Sequence, residues 1–387
     1  MCSAPRQVTT TTVLRLTAWQ GTSVPELVVL TEQLLAPVPG GTGRYTAELA
    51  RALAATTPNG WSVTGVTAAH RDLSAARLAG VRGPRPLPLP RRALTLAWER
   101  GVPLWPGGRH SGDSVHAPTP LAPAAPKKGR RLVVTVHDTV PFTHPETLTP
   151  RGVAWHRAMI TRATRTASAV VVPTDAVAEE LRRYAPGPAP VHTVPHGVSA
   201  VFTETVAPQR FPAGYILAVG TIEPRKGLDV LIDALAHPAA PDLPLVIVGQ
   251  PGWGAVDLAA RAAERGLAEG RVRLVGRLDD ADLAAMMAGA TVLAAPSHAE
   301  GFGLPVLEAM AAGVPVVHTD VPALVEVSAG AAVVVPIGDA GALAEALAEV
   351  AGDSSRAAAM VERGRARAAE LTWERAAEAV WRLHTEV

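Results

Sequence analysis

The sequence predicts an α/β protein made of two doubly wound parallel sheets that face each other across a cleft. Three observations lead there. The chain has 387 residues, 48% of them hydrophobic and 18% charged, enough for two cores at roughly 150 residues each. Short apolar runs alternate with amphipathic stretches of roughly 10–15 residues, the signature of parallel strands joined by helices. The charge is also divided: residues 1–200 hold 22 Lys+Arg against 11 Asp+Glu, and residues 201–387 hold 14 against 24.

Taken in order, residues 1–25 read as a loose tail with a Thr run. Glu26–Thr31 is a buried strand, followed by a Pro/Gly loop at Pro37–Gly43 and a helix from about Arg44 to Ala55. Tyr45, Leu49 and Leu53 recur at i, i+4 and i+8 on one face of that helix. Residues 80–127 are dense in Pro, Arg and Gly and read mostly as loop with short elements. Leu132–Val136 is a strand, Pro150–Thr166 a helix and Ala169–Val172 a strand, and Thr174 or Asp175 caps a helix over Ala176–Tyr184. The Pro-rich run from Tyr184 to about Pro212 reads as an interdomain linker. The boundary is therefore expected at 205/206, separating a domain over 1–205 from one over 206–387.

The second half alternates more regularly. Strands are expected at Tyr215–Val219, Leu245–Gly249, Val272–Val275, Thr291–Ala295, Val314–His318 and Ala332–Val335. Helices fall between them at Gly227–His237, Ala255–Gly266, Asp279–Gly289, Pro305–Ala312 and near Val321, with another from about Gly341. In the closing helices Trp373 and Trp381 lie eight residues apart and read as packing anchors. The last stretch, about 367–387, is expected to reach back to the first domain. In doubly wound sheets, ligands sit at the carboxyl ends of strands, which here means the cleft.

Composition excludes several classes. The single cysteine, Cys2, rules out a disulfide framework or thiolate cluster. Apolar runs such as Leu243–Val248 and Ala290–Pro296 are far short of the roughly 20 residues that span a bilayer. The N-terminus lacks a charged-then-apolar signal pattern, so a soluble cytoplasmic protein is expected. Four Phe and three Tyr leave little for base stacking, which argues against nucleic acid. The twelve His show no paired ligand spacing, and no Asp-x-Asp stands where a nucleotide-bound metal is wanted, so no metal and no cofactor are expected. Neither a Gly-x-Ser-x-Gly elbow nor a Walker loop occurs. The basic half suits an anionic partner, and Arg151, Arg157, Arg162 and Arg165 on one helix could meet the inner membrane face.

The most informative stretch is His298-Ala299-Glu300-Gly301-Phe302-Gly303-Leu304-Pro305-Val306-Leu307-Glu308. Glu300 lies in a loop after an apolar strand, where a carboxylate can face the cleft. Gly301 and Gly303 permit close backbone approach, and Pro305 suits the first turn of a helix, whose N–H groups form an anion site. Glu308 points the same way from within that helix. Hydroxyls donating to two carboxylates, with phosphate accepting from the backbone at Gly303 and Leu304, would suit a sugar nucleotide. Lys226, one of only three lysines, follows the strand ending at Gly220 with Arg225 beside it. A cation there neutralises a diphosphate as it departs, each charge-assisted contact being worth about 1.5–3 kcal/mol. His137 follows the strand Leu132–Val136 at its cleft end and can donate to a sugar or phosphate. Gly40, Gly41 and Gly43 open a helix and leave room for an anion or sugar.

The Glu300–Glu308 segment resembles the glutamate–seven residues–glutamate signature of glycosyltransferase family 4, retaining enzymes of the two-domain GT-B fold. The resemblance runs over nearly the whole chain after the tail. It extends to Gly220-Thr221-Ile222-Glu223-Pro224-Arg225-Lys226-Gly227, Val275-Gly276-Arg277-Leu278 and Asp320–Val327. In the first half it covers Gly40-Gly41-Thr42-Gly43-Arg44-Tyr45 and His137-Asp138-Thr139-Val140-Pro141.

The resemblance implies two facing Rossmann-like domains: an acceptor-binding one over 1–205 and a nucleotide-sugar-binding one over 206–387. Glu308 would take the ribose hydroxyls, Glu300 the sugar hydroxyls, and Lys226 with Arg225 the diphosphate. Gly276, Arg277 and Leu278 would line the base pocket, and His137, Glu300 and Lys226 would form the catalytic set. Thr221 stands where much of the family has Arg, which places more of the cationic grip on Arg225. The expected activity is metal-independent hexosyl transfer, as in polysaccharide biosynthesis. The Gly220–Gly227 block resembles a subgroup rich in mannosyltransferases, so GDP-mannose is the expected donor, with UDP- or dTDP-sugars as alternatives. A glycan, a lipid-linked molecule or a small molecule is the acceptor. The competing readings are a non-catalytic sugar-nucleotide or glycan-binding protein and a sugar-nucleotide epimerase.

Overall fold

A computed structural model describes residues 25–107, 113–204, 214–252, 254 and 257–386. Among them the strands form two wholly parallel sheets, one in each half of the chain. The first contains β1 Glu26–Leu30, β2 Ser62–Ala69, β3 Arg82–Pro90, β4 Ser114–Ala117, β5 Arg131–Thr135, β6 Ala169–Val172 and β7 Val191–Thr193. Their spatial order is β3-β2-β1-β4-β5-β6-β7. Around this sheet lie α1 Gly40–Ala55, α2 Arg91–Glu99, α3 Val140–Thr143, α4 Pro150–Thr166 and α5 Asp175–Tyr184.

The second sheet contains β8 Ile216–Val219, β9 Leu245–Val248, β10 Val272–Gly276, β11 Val292–Ala295, β12 Val316–Thr319 and β13 Val333–Val335. Its order is β10-β9-β8-β11-β12-β13. Its helices are α6 Leu228–Leu235, α7 Leu258–Glu264, α8 Asp280–Ala288, α9 Leu304–Ala312, α10 Pro322–Ser328 and α11 Ala340–Gly352. The chain closes with α12 Ser354–Glu370 and α13 Trp373–Thr385.

Helices cover both faces of each sheet, so central strands such as β4, β6, β9 and β12 are buried at every position. In both sheets the strand order reverses beside the first strand, between β1 and β4 and between β8 and β11. A crevice forms at such a switch point because the loops on either side diverge to opposite faces. The two crevices face each other.

The elements of the second half fall within a few residues of expectation, and the first half holds the differences. Within residues 80–127 the short elements are β3, α2 and β4. β3 carries Pro84, Pro86, Pro88 and Pro90, which is tolerable because it is the edge strand and has a partner on only one side. β4 is only four residues long but lies at the centre of the sheet. β7 occupies part of the stretch read as linker and pairs with β6. The boundary at 205/206 lies outside the described residues, as does the tail over 1–24.

α1 begins at Gly40 instead of Arg44, so the glycines form its first turn; Gly40 itself has φ +59°. Tyr45, Leu49 and Leu53 share its buried face. Trp381 packs edge-on against Trp61 and donates from its indole to the Leu53 carbonyl at 3.0 Å. Arg131 donates to the Leu383 carbonyl at 2.9 Å, so α13 is fastened to the first sheet and to α1. No helix among the described residues is long and apolar enough to cross a membrane.

Candidate active site

The loops after β8 and β11 flank the second switch point. After β8 the chain passes Gly220 and makes a single tight turn at Pro224–Lys226, closed by Gly227 in the left-handed conformation. After β11 it runs through Ser297 and Glu300 to Gly303, whose φ of +86° sets the entry into α9. The two loops converge on the Glu300 carboxylate. Lys226 Nζ donates to Glu300 Oε1 at 2.5 Å, Ser297 Oγ to the same oxygen at 2.9 Å, and Arg225 Nη1 to Oε2 at 3.2 Å.

Burial raises the Glu300 pKa, but Lys226 and Arg225 outweigh it and hold the group at about 2. Arg225 also pairs through Nε with Glu223 and donates to the Ala299 carbonyl at 3.2 Å. Burial disfavours its charge; Glu300 and Glu223 overcome that and raise its pKa. Two cations and two carboxylates are thus neutralised among themselves beside the start of α9. In that helix start Pro305 has no N–H and Val306 turns its own to the Gly303 carbonyl at 2.9 Å. Among the described residues, the amides left for an anion are those of Gly303 and Leu304.

Glu308, one turn into α9, is almost fully buried. Arg44 reaches it from α1 across the cleft and pairs with Oε1, while its second arm holds Asp280 at 2.5 Å. Oε2 of Glu308 has no hydrogen-bond partner among the described residues. Burial raises the Glu308 pKa and Arg44 offsets only part of that effect. This leaves one acceptor oxygen on a helix facing the cleft without a donor, an arrangement with an energetic cost that a ligand hydroxyl can relieve.

From the first domain, His137 Nε2 bonds the Pro118 carbonyl at 2.7 Å. A carbonyl only accepts, so Nε2 carries the proton and Nδ1 is left as an acceptor. Burial lowers the His137 pKa despite that bond and the nearby Asp138, so the ring is neutral near pH 7. With that N–H committed to the backbone, Nδ1 is the atom of the ring left for a ligand. The ring meets Tyr45 edge-on at 4.6 Å, and Tyr45 in turn contacts His196 and Trp373. The two halves touch directly here. A Cβ on Gly301 would collide with the His137 carbonyl, and Thr174 Oγ1 donates to the Gly301 carbonyl at 3.0 Å. Glu326 of α10 accepts from the Asp175 and Ala176 amides at the start of α5.

Between the halves lies a cavity of about 610 Å³. It brings together Gly40, Gly41, Gly43, His137, Arg225, Lys226, Arg277, Leu278, Glu300, Gly303, Leu304 and Glu308 from the expected set, and Thr221 lines it too. Gly276 is not part of that lining; it ends β10 with φ +80°, one residue before Arg277. The structure adds two residues to which the sequence reading gave no role. Arg44 stands inside the glycine block, where only its position next to Gly43 hinted at use. His196 lines the cleft, is buried, and has neither ring nitrogen hydrogen-bonded among the described residues. Of the four arginines on α4, Arg157 donates to the Pro141 carbonyl at 2.7 Å and Arg162 to the Glu99 carbonyl at 2.6 Å. Arg151 and Arg165 remain exposed. Among the described residues no group of three or more His, Cys, Asp or Glu is placed to hold a metal ion.

Comparison with known proteins agrees with this geometry. Residues 208–367 match the family described as Glycosyl transferases group 1, and residues 39–201 match Glycosyltransferase Family 4. O-antigen chain mannosyltransferase B of Escherichia coli is 32% identical over 262 residues, covering 64% of this chain and 68% of that protein. Phosphatidyl-myo-inositol mannosyltransferase of Mycobacterium leprae is 41% identical over 166 residues, but these cover only 40% of this chain and 42% of that one. Among solved structures, HepE of Anabaena in complex with UDP-glucose superposes with a TM-score of 0.70 at 19% identity, covering 94% of this chain and 100% of that one. With two parallel-sheet domains meeting at paired switch points, and with these matches along both halves, the chain belongs to the family 4 glycosyltransferases of GT-B fold.

Proposed function

We propose that the protein is a retaining, metal-independent hexosyltransferase that uses a nucleotide diphosphate sugar, with GDP-mannose as the preferred donor. The observation that carries the reading is the Lys226–Arg225–Glu300 cluster beside the free amides of Gly303 and Leu304. In the ligand-free chain each cation is held by a carboxylate. An arriving diphosphate competes for Lys226 and Arg225 at the mouth of α9, where amides and cations reinforce each other. As the sugar–phosphate bond breaks, charge grows on the leaving diphosphate, and these groups favour it without rearranging.

Glu308 Oε2 then takes a ribose hydroxyl, while Glu300, held ionised, takes hydroxyls of the sugar. His137 Nδ1 accepts from a hydroxyl of the transferred sugar. Arg277 and Leu278 border the base. Among the described residues no side chain in the cleft stands out as a covalent nucleophile, so positioning and leaving-group stabilisation carry the rate. The names of the Escherichia coli and Mycobacterium leprae relatives support mannose as the transferred sugar. The acceptor binds on the first domain's side of the cleft. The cytoplasm is the proposed location, with Arg151 and Arg165 available to an anionic membrane surface.

The test is mass spectrometry of products after incubation with GDP-mannose, UDP-glucose and dTDP-glucose, each with a pool of soluble and lipid-linked acceptors. Hexosyl transfer from GDP-mannose is expected, and Lys226→Ala or Glu300→Ala should remove it. Full transfer activity in either variant would falsify the site assignment. Calorimetric nucleotide binding with no product from any acceptor would instead support a binding protein on this fold.

A further inference from the structure

The first domain holds a second cavity of about 570 Å³, separate from the cleft except at Thr42, His137 and Asp138, which line both. Its walls come from β1, β2, β3, α2, α4 and the loop after β4. Leu30, Val66, Leu87, Leu94, Trp98 and Ile160 make them largely apolar. Many of the polar groups in the wall are already engaged with the protein, but the buried Trp155 indole N–H has no hydrogen-bond partner among the described residues, and Arg151 is exposed. Thr67 and Thr95 donate their hydroxyl hydrogens to the Ala68 and Arg91 carbonyls, each at 2.9 Å. Glu32 accepts from the Ala68 amide at 2.8 Å and meets His70 at 2.9 Å. Asp138 Oδ1 caps the Val140 amide at 3.1 Å.

A sugar acceptor needs a donor or acceptor for nearly every hydroxyl it buries, and burying one without a partner is costly. Beyond the Trp155 indole N–H and Arg151, this cavity has few to offer. It is, however, in the range of roughly 300–1000 Å³ that encloses a compact, mainly apolar small molecule. It is also closed to the donor cleft everywhere except at the one place where chemistry is wanted.

Resting on the transferase reading above, we infer that the acceptor is a compact apolar aglycone, a fused-ring or aromatic molecule carrying a hydroxyl. Its body fills this cavity and its hydroxyl stands at the Thr42–His137–Asp138 junction. There the hydroxyl oxygen bonds the sugar's anomeric carbon as the bond from that carbon to the diphosphate breaks, and the hydroxyl proton leaves on the diphosphate. Half-buried Trp155 supplies a flat face suited to rings.

The experiment is calorimetric titration of the full chain with 2-naphthol, 7-hydroxy-4-methylcoumarin and a hydroxyanthraquinone. Methyl α-mannoside and a polyprenyl phosphate in detergent serve as contrasts, all with and without saturating GDP. At least one ring compound is expected to bind ten times more tightly than methyl α-mannoside. Thr95→Phe and, independently, Leu121→Trp should weaken that binding at least tenfold while leaving GDP affinity within twofold. Binding of methyl α-mannoside or polyprenyl phosphate in preference to every ring compound would overturn the inference. So would ring binding that is indifferent to both cavity-filling variants. Failure of GDP to bind while the ring compounds still bind would sink the donor reading and leave the cavity's chemistry standing.

Discussion

The two walls of the cleft are built on opposite principles. The wall from the second domain is dense with charge: Glu223, Arg225, Lys226 and Glu300 neutralise one another within a few ångströms. The wall from the first domain leads into a mainly apolar chamber in which Thr67 and Thr95 are tied to the backbone, Glu32 pairs with His70, and the Trp155 indole N–H has no partner among the described residues. The difference teaches that one side is organised to exchange ionic partners and the other to exclude water. A group-transfer enzyme needs both, because a leaving diphosphate wants cations and an attacking hydroxyl wants freedom from competing water.

The largest expected effect breaks the charged wall. Lys226→Ala should lower transfer from a nucleotide sugar by roughly a hundredfold or more, the usual cost of removing a preorganised charge-stabilising donor. Initial-rate measurement of nucleotide diphosphate release reads it, and a loss below fivefold would mean that the ammonium does not act on the leaving group.

Next is the strut between the walls. Arg44→Ala leaves buried Glu308 without its cation and should destabilise the fold by about 1–3 kcal/mol, below the cost for a fully buried pair because Arg44 itself is partly exposed. Adding Glu308→Gln removes the stranded charge and should restore part of the loss in urea denaturation. Strict additivity of the two changes would show that they do not interact.

A third prediction separates the walls by pH. Glu300, with its pKa held at about 2, stays ionised throughout mild acid. Its contribution to stability is complete above the usual carboxylate range and is lost only as pH falls toward 2. On the other side, His116 Nδ1 lies 3.3 Å from His384 Nε2, which fastens α13 to β4 together with Ser114 and beside Arg131. Burial pushes the His116 pKa down to about 3, and burial with His116 and Arg131 nearby lowers that of His384. The unfolded chain binds these protons below about pH 6.5 and the folded chain does not, so stability falls on acidification from 6.5 toward 3. Each ring contributes at most about 1.4 kcal/mol per pH unit. His384→Gln should flatten the decline in Tm between pH 7 and 5, whereas Glu300→Gln should not change that slope.

The smallest effect concerns Thr221, which lines the cleft where much of the family carries Arg. Thr221→Arg should tighten GDP binding by about twofold to tenfold. Weakened binding would indicate that Arg225 already occupies the only productive cation position.

The same contrast explains what the sequence disclosed. The charged wall was legible because single loops carry it: Glu300, Gly303, Leu304 and Glu308 lie within nine residues, and Arg225–Lys226 directly follow a strong strand. Helix periodicity placed Tyr45, Leu49 and Leu53 correctly on one face. The apolar chamber was not legible, since it is assembled from segments scattered between Leu30 and Ile160, and apolar residues that line a void look like apolar residues that fill a core. β3 escaped because proline normally argues against a strand, and only its edge position makes it tolerable. Arg44 was invisible as a partner of Glu308 because 264 residues separate them.

The central claim is that the second domain grips a pyrophosphate through Lys226 and Arg225 at the mouth of α9. It is tested most directly, and without any acceptor, by calorimetric titration of GDP and GMP into the wild-type chain and Lys226→Ala. The account predicts that wild type binds GDP at least tenfold more tightly than GMP and that the variant loses most of this preference. Equal affinities in the wild type, or a preference that survives the substitution intact, would contradict it.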